Sequence, residues 1–242
     1  ANFLLLLNSS NLTFHNLTLT YRPLPYIQGK ILSLTQVDEE KALIRFQVQD
    51  QRYLQTPGDF KISPNNYPEN EPKVKLIFSS ILTQTPLMNR LDVIELTKSG
   101  DQWSALANFK ASITASTNFN DFRARFSVSR GLPSAEVATI VARGPNPAIN
   151  ISESSEIAFH AIQLLSSPGL GLLIQNSSEI QISKVHVIPE EVGVDVVSTN
   201  ADNLHTRDVR GRLTIDSSIF SNAGDDQMNI HNTGLGLLSK MP

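Results

Sequence analysis

Four short stretches of the chain share one pattern of apolar and polar positions. They are "NLTFHNLTL" (11–19), "EIAFHAIQL" (156–164), "EIQISKVHV" (179–187) and "RLTIDSSIF" (212–220). In each, apolar residues fall at i, i+2, i+5 and i+7. They are Leu12, Phe14, Leu17 and Leu19; Ile157, Phe159, Ile162 and Leu164; Ile180, Ile182, Val185 and Val187; and Leu213, Ile215 and Phe220, with Ser218 at the one weak position. A spacing of two lines one face of a strand. The step of three in the middle marks a corner, after which a second strand begins. A helix needs recurrence at three and four throughout, and the pattern lacks it.

The pattern also has a period. Ile157 and Ile180 are 23 residues apart; Ile180 and Leu213 are 33 apart, and "PEEVGVDVV" (189–197) can hold the excess as a loop. A unit this short cannot bury its apolar face alone and must stack on its neighbours. The prediction is an all-β chain built on a right-handed parallel β-helix, a pectin-lyase-like solenoid with stacked Ile, Leu, Val and Phe inside. A β-sandwich also alternates, but its hairpins do not repeat one two-strand pattern at a fixed period.

The first copy lies 145 residues before the second. What lies between reads as antiparallel. "GKILSLTQVDEEKALIRFQV" (29–48) predicts two strands around the polar turn Asp38–Lys41. "LDVIELTKSGDQWSALA" (91–107) predicts two more around Lys98–Gln102, with Ser99–Gly100 as the turn signal. "SPNNYPENEP" (63–72) reads as a loop. The expected organisation is a first β-helix segment over 1–22, an inserted small antiparallel β-barrel over 23–146, and β-helix coils with the candidate site over 147–242. Pro23 and Pro25 mark the way in, and "RGPNPA" (143–148) the way out. The lone Trp103 reads as core or rim of that barrel before it reads as a sugar platform.

Composition adds exclusions. The 242 residues are enough for a real core, and a net charge of −3 gives no footprint for nucleic acid. With no cysteine, thiol catalysis and thiolate metal sites are excluded. Leu4–Leu7 is too short for a membrane span and lacks the features of a signal peptide. A first residue Ala1 suggests processing or a trimmed chain. Five N-x-[ST] sequons occur, at Asn8, Asn11, Asn16, Asn150 and Asn176. Asn, Ser and Thr are common at tight corners, and that reading is preferred to glycosylation. His15 and His160 fall at corners of the repeat, and His186 should point outward.

The period also aligns acidic residues. Asp202 and Asp225 are 23 residues apart, with Asp226 beside the second. Stacked one coil apart, these three carboxylates would share a small area. Like charges there disfavour ionising together, and a protonated acid beside an ionised base suits glycosidic cleavage. His205, Arg207, Asp208, Asn229 and His231 lie nearby and can hold sugar hydroxyls or tune the carboxylates. A cation is the other use of Asp202, His205, Asp225, Asp226 and His231. No compact ligand loop or H-x-x-x-H spacing supports it, so neither metal nor other cofactor is expected.

At these residues the chain resembles glycoside hydrolase family 110, the β-helical exo-acting α-1,3-galactosidases. The matching features are "SPGLG" (167–171), "STNAD" with His205 three residues after Asp202, the Arg210–Gly211 step, and "DDQMNIH" (225–231). "LTYRPLPYIQGKI" (19–31) resembles the point where that family leaves its β-helix for an inserted barrel. The resemblance implies an inverting hydrolase of terminal α-1,3-linked galactose with Asp202, Asp225 and Asp226 as general acid and base. His205, Arg207, Asn229 and His231 would then contact the sugar. It implies a carbohydrate substrate, no nucleic acid or membrane partner, and a secreted or periplasmic location; the oligomeric state stays open. Where the family tends to read "NVHG" and then an aromatic, this chain has "NIHNTG" (229–234). The family also continues into further coils, so a fragment or a divergent short member is expected. Polygalacturonase is the nearest enzymatic alternative, with Arg207 and Arg210 as candidate partners for substrate carboxylates. A β-helical adhesin or carbohydrate-binding solenoid is the non-catalytic one.

Overall fold

The computed structural model describes residues 2–53, 74–79, 86–109, 137–142, 144 and 146–233. The loop expected over 63–72 lies outside them. All sixteen elements are strands, and the described residues contain no helix.

Two parallel sheets carry the repeat. The first contains β1 (Leu4–Leu7), β9 (Ile149–Ser152), β11 (Leu172–Gln175), β13 (Leu204–Arg207) and β16 (Met228–His231), in that order. The second orders β14 (Arg210–Asp216), β12 (Ser178–Val187), β10 (Ser155–Leu164) and β2 (Ser10–Leu19), with β15 (Ile219–Phe220) also on β12. The apolar pattern is the pairing pattern. Leu12, Phe14, Leu17 and Leu19 align with Ile157, Phe159, Ile162 and Leu164, which align with Ile180, Ile182, Val185 and Val187. These residues of β10 and β12 are at most 1% exposed, and full burial of each aliphatic side chain is worth about 1.5–3 kcal/mol. Phe14 stacks on Phe159 with ring centroids 5.2 Å apart.

The step of three has a backbone cause. Asn16, Ala161, Lys184 and Ser217 all have φ between 47° and 55°, so the chain turns there in the left-handed region. The earlier corner repeats too, with Asn8, Glu153, Asn176 and Asp208 at φ 48–54°. Asparagine tolerates this conformation better than most residues. Three of the five sequon asparagines occupy such corners, Asn8, Asn16 and Asn176, and Asn11 has φ 55° within β2. Asn150 lies within β9. His15 and His160 are register partners, their rings edge-on with centroids 5.6 Å apart.

One irregularity changes the register. Ser178 pairs with Arg210, but Ile180 pairs with Leu213, so β14 holds one extra residue against Glu179. Gly211 keeps the positive φ (67°) that Asn11, Glu156 and Glu179 show at the same place in the other repeats, and a side chain there would strike the Glu179 carboxylate. The step between sheet partners is 23 residues from Ile149 to Leu172, 32 from Leu172 to Leu204, and 24 from Leu204 to Met228. The loop after β12 therefore holds nine of the ten excess residues; the bulge holds the tenth.

Between β2 and β9 in the chain, six strands close an antiparallel barrel in the order β3 (Tyr26–Gln36), β4 (Lys41–Gln47), β7 (Gln102–Asn108), β6 (Pro86–Ser99), β5 (Val74–Ser79), β8 (Val137–Ala142). The two expected hairpins are β3–β4 and β6–β7. Asp38 accepts the backbone N–H groups of Glu40 and Lys41 in the first turn. Gly100 supplies the positive φ of the second. Trp103 is 1% exposed in the barrel core with the Lys98 ammonium over its ring, so it is not a sugar platform.

Candidate functional site

The first sheet's strands are preceded by corners in which backbone pairs with backbone from one repeat to the next. Thr199 bridges Ser167 on one side and Ala223 on the other. The Gly171 N–H donates to the Asp202 carbonyl, and the Asn203 and Leu204 N–H groups donate to the carbonyls of Asp226 and Gln227. This register places Asp202 level with Asp226, and Ala201 level with Asp225. The sequence spacing had aligned Asp202 with Asp225. The one-residue bulge at Gly211 makes this step 24 residues and moves the alignment by one.

The three carboxylates nevertheless meet. One oxygen from each of Asp202, Asp225 and Asp226 lies within 4.8 Å of the others. Asp202 is buried, Asp225 half-buried and Asp226 exposed, so the cluster opens outward from Asp202. Asp202 accepts on both oxygens: His205 Nδ1–H at 2.7 Å and the Asp226 backbone N–H at 3.3 Å. With Nδ1 donating, His205 Nε2 is left to accept from His231 Nε2, 3.1 Å away. Such a carboxylate–imidazole bond fixes both tautomer and ring orientation. Three carboxylate oxygens this close can also hold a hard cation, though exposed acidic groups are common without one.

His205, Arg207, Asn229 and His231 all lie on the outward face of the first sheet. Leu204 and Thr206 point inward between them, and His205 is level with Asn229, Arg207 with His231. His205 and His231 thus connect to the acidic cluster. Arg207 instead faces its neighbour, Nε 3.4 Å from Asp208. Asp208 caps the corner: it accepts the Thr233 N–H and hydroxyl, and these bonds hold its carboxyl below the usual aspartate range. Arg210 begins β14 in the other sheet, level with Ser178. Neither arginine forms a contact with the three aspartates among those described.

Sequence reasoning missed the residues that hold the corner together. Asn203 is fully buried, and its amide links two repeats. Oδ1 accepts from Ser198 Oγ (3.0 Å) and Thr199 Oγ1 (2.7 Å), while Nδ2 donates to the Ser221 carbonyl and Gln227 Oε1 (both 2.9 Å). Gln227 Oε1 also accepts the Ala223 N–H. Asn203 and Gln227 thus bracket the Asp225–Asp226 pair from both sides. Gly224 sits 2.7 Å, at the position a Cβ would take, from the Thr199 carbonyl oxygen and the Asn200 carbonyl carbon. Any side chain there would push the aspartate pair away from Asp202. The sequence signal was the flanking of Asp202 by Asn200 and Asn203, and of the pair by Gly224 and Gln227.

No family model matches the chain. It is 32% identical over 91 residues to alpha-1,3-galactosidase A of Bacteroides fragilis, covering 38% of this chain and 15% of that protein. It is 33% identical over 85 residues to alpha-1,3-galactosidase B of Bacteroides thetaiotaomicron, covering 35% and 14%. It is 26% identical over 94 residues to alpha-1,3-galactosidase B of Akkermansia muciniphila, covering 39% and 12%. The matched stretch is thus between 12% and 15% of each relative's length. Over that stretch the chain is similar to alpha-1,3-galactosidases.

Proposed function

We propose that this chain carries the acid/base site of a glycoside hydrolase that removes terminal α-1,3-linked galactose with inversion, and that it is a member of glycoside hydrolase family 110. The observation that carries the reading is the meeting of Asp202, Asp225 and Asp226, one oxygen each within 4.8 Å. The alpha-1,3-galactosidase names of the relatives support the substrate class. In this reading the two parallel sheets are faces of a right-handed parallel β-helix, and the chain divides into 1–22, a barrel over 23–146, and the site-bearing segment 147–242. The location follows as secreted or periplasmic.

The chemistry divides among the three acids. Asp202 is the buried member, held by His205 and the Asp226 backbone N–H, and in this reading it belongs to the side that activates water. The proton for the leaving oxygen is then carried by Asp225 or Asp226. Inverting pairs stand about 6.5–9.5 Å apart, wider than the nearest oxygens here. In this reading two of the carboxylates hold the water and the third protonates the leaving group. His205 and His231 offer polar partners to sugar hydroxyls.

The test is turnover of an α-1,3-linked galactosyl disaccharide by Asp202→Asn and Asp225→Asn. Each variant should keep the circular dichroism of the parent and lose at least about a hundredfold in kcat, the scale of losing an acid or base. Undiminished turnover in both would overturn the proposal.

A further inference from the structure

The nine extra residues after β12 read as a loop in the sequence. In the structure, residues 188–197 form a strap that leaves the parallel sheets: 191–194 are exposed, Asp195, Val196 and Val197 turn inward against the barrel's core, and the chain returns two residues before Asn200. Val196 and Val197 are 3% and 0% exposed and pack in the barrel cluster with Leu24, Tyr26 and Tyr53. Gln28 of β3 clasps the strap with both ends of its amide. Its Nε2 donates to the Val194 carbonyl at 2.7 Å, and its Oε1 accepts the Val196 N–H at 2.9 Å. Asp195, 1% exposed, accepts the Tyr53 hydroxyl at 2.7 Å, the Glu191 N–H at 3.0 Å and Arg52 at 3.3 Å. Burial, then the charge of Asp195, push the Tyr53 hydroxyl far above the ordinary tyrosine value, so it remains a donor.

An ordinary connection runs over the surface and is mobile. This one carries a buried carboxylate, which is tolerated only where it is paired and hydrogen-bonded. Its ends also lead to the acids. Asn200 Nδ2 donates to the Pro25 carbonyl at 2.8 Å, two residues before Asp202. Asn222 Nδ2 donates to the Val196 carbonyl at 2.9 Å, three residues before Asp225. The barrel therefore reaches the chain just ahead of both arms of the acidic cluster.

We propose that the barrel, acting through this strap, sets the placement of Asp202 against Asp225 and Asp226, with Gln28, Asp195 and Asn200 as positioning residues. In its kinetic consequence the inference rests on the galactosidase reading. A misplacement of about 1 Å at a distance from the chemistry can cost on the order of a hundredfold in rate.

The experiment is Gln28→Leu in the full chain, which keeps the buried volume and removes both bonds to the strap. Two readouts are taken: the kcat and KM for an α-1,3-galactoside, and the His205 Nδ1–H resonance in ¹⁵N-histidine-labelled protein, which reports the bond to Asp202. The expected result is a fall in kcat of about tenfold or more with KM within about threefold, together with a shifted or broadened His205 resonance. Ile44→Val, in the same barrel core but making none of the strap's hydrogen bonds, should lower the melting temperature and leave kcat and the resonance unchanged. If Gln28→Leu does not fold, Asp195→Asn, which keeps the shape, replaces it with the same expectation. A parental kcat and resonance in the strap variant would overturn the inference. Equal losses in Ile44→Val and the strap variant would also overturn it, by reducing the strap to general stability. If the parent chain releases no galactose, the hydrolase reading fails by itself, and the His205 resonance still decides the strap.

Discussion

Replacing Asn203 by alanine tests whether the amide at the centre of the corner does what its contacts indicate. The change deletes at most four hydrogen bonds from a side chain with no solvent exposure, because the Ser198 and Thr199 hydroxyl protons are shared with backbone carbonyls. At about 0.5–1.5 kcal/mol each, the upper range of their loss is roughly 2–6 kcal/mol. Each former partner keeps another bond: Ser198 Oγ to the Ser221 carbonyl (2.6 Å), Thr199 Oγ1 to the Ala201 carbonyl (2.6 Å), and Gln227 Oε1 from the Ala223 N–H (3.4 Å). No partner is orphaned, so the expected cost lies at the low end, about 2–3 kcal/mol. Asn203→Asp should cost more. It keeps the acceptor toward Ser198 and Thr199 but turns a second acceptor on the Ser221 carbonyl and Gln227 Oε1, in a site that cannot solvate a charge. The assay is the urea midpoint at constant m-value for both variants. A cost below about 1 kcal/mol for Asn203→Ala, or a milder effect for Asn203→Asp than for alanine, would refute the reasoning.

Two further outcomes follow from buried and charged groups. Thr206 is 1% exposed on β13 and its hydroxyl has no hydrogen-bond partner among the described residues, so Thr206→Val should raise the urea midpoint by about 1 kcal/mol of stability; a lowered midpoint would contradict this. Burial pushes the Glu190 carboxyl up, but hydrogen bonds from Arg22 and Thr20 and the charges of Arg22 and Arg52 leave it below the ordinary 4.5. A depressed carboxyl contributes stability that is present above 4.5 and lost as pH falls through its lower folded value. Melting temperature should therefore fall less steeply with acid in Glu190→Gln than in the parent below that pH; identical profiles would show that the pair contributes nothing.

The repeat was legible because an inward strand position must be apolar whichever repeat it stacks upon. Phe14 and Phe159 could be matched across 145 residues of intervening chain for that reason. The corners were legible as spacing, and Asn16, Ala161 and Lys184 show why: a single left-handed residue consumes the extra position. The hairpins of the barrel were legible from turn chemistry at Asp38 and Gly100. The exact register of the site was not. One residue added at Gly211–Arg212 leaves the apolar spacing of Leu213, Ile215 and Phe220 intact, yet it moves Asp202 from the level of Asp225 to that of Asp226. The strap was read as loop because "GVDVV" alternates without saying which core receives Val196 and Val197. Gln28 and Asn203 were passed over because a buried amide is recognisable only through its partners, and those lie 166–168 residues away for Gln28 and in two repeats for Asn203.

The central claim, that Asp202, Asp225 and Asp226 form the acid and base of an inverting α-galactosidase, is tested most directly by proton NMR of an α-1,3-galactosyl disaccharide mixed with the chain. The account predicts that β-galactose appears first and mutarotates later, and that Asp202→Asn and Asp225→Asn give no early galactose signal. First appearance of α-galactose, or release that persists undiminished in both variants, would contradict it.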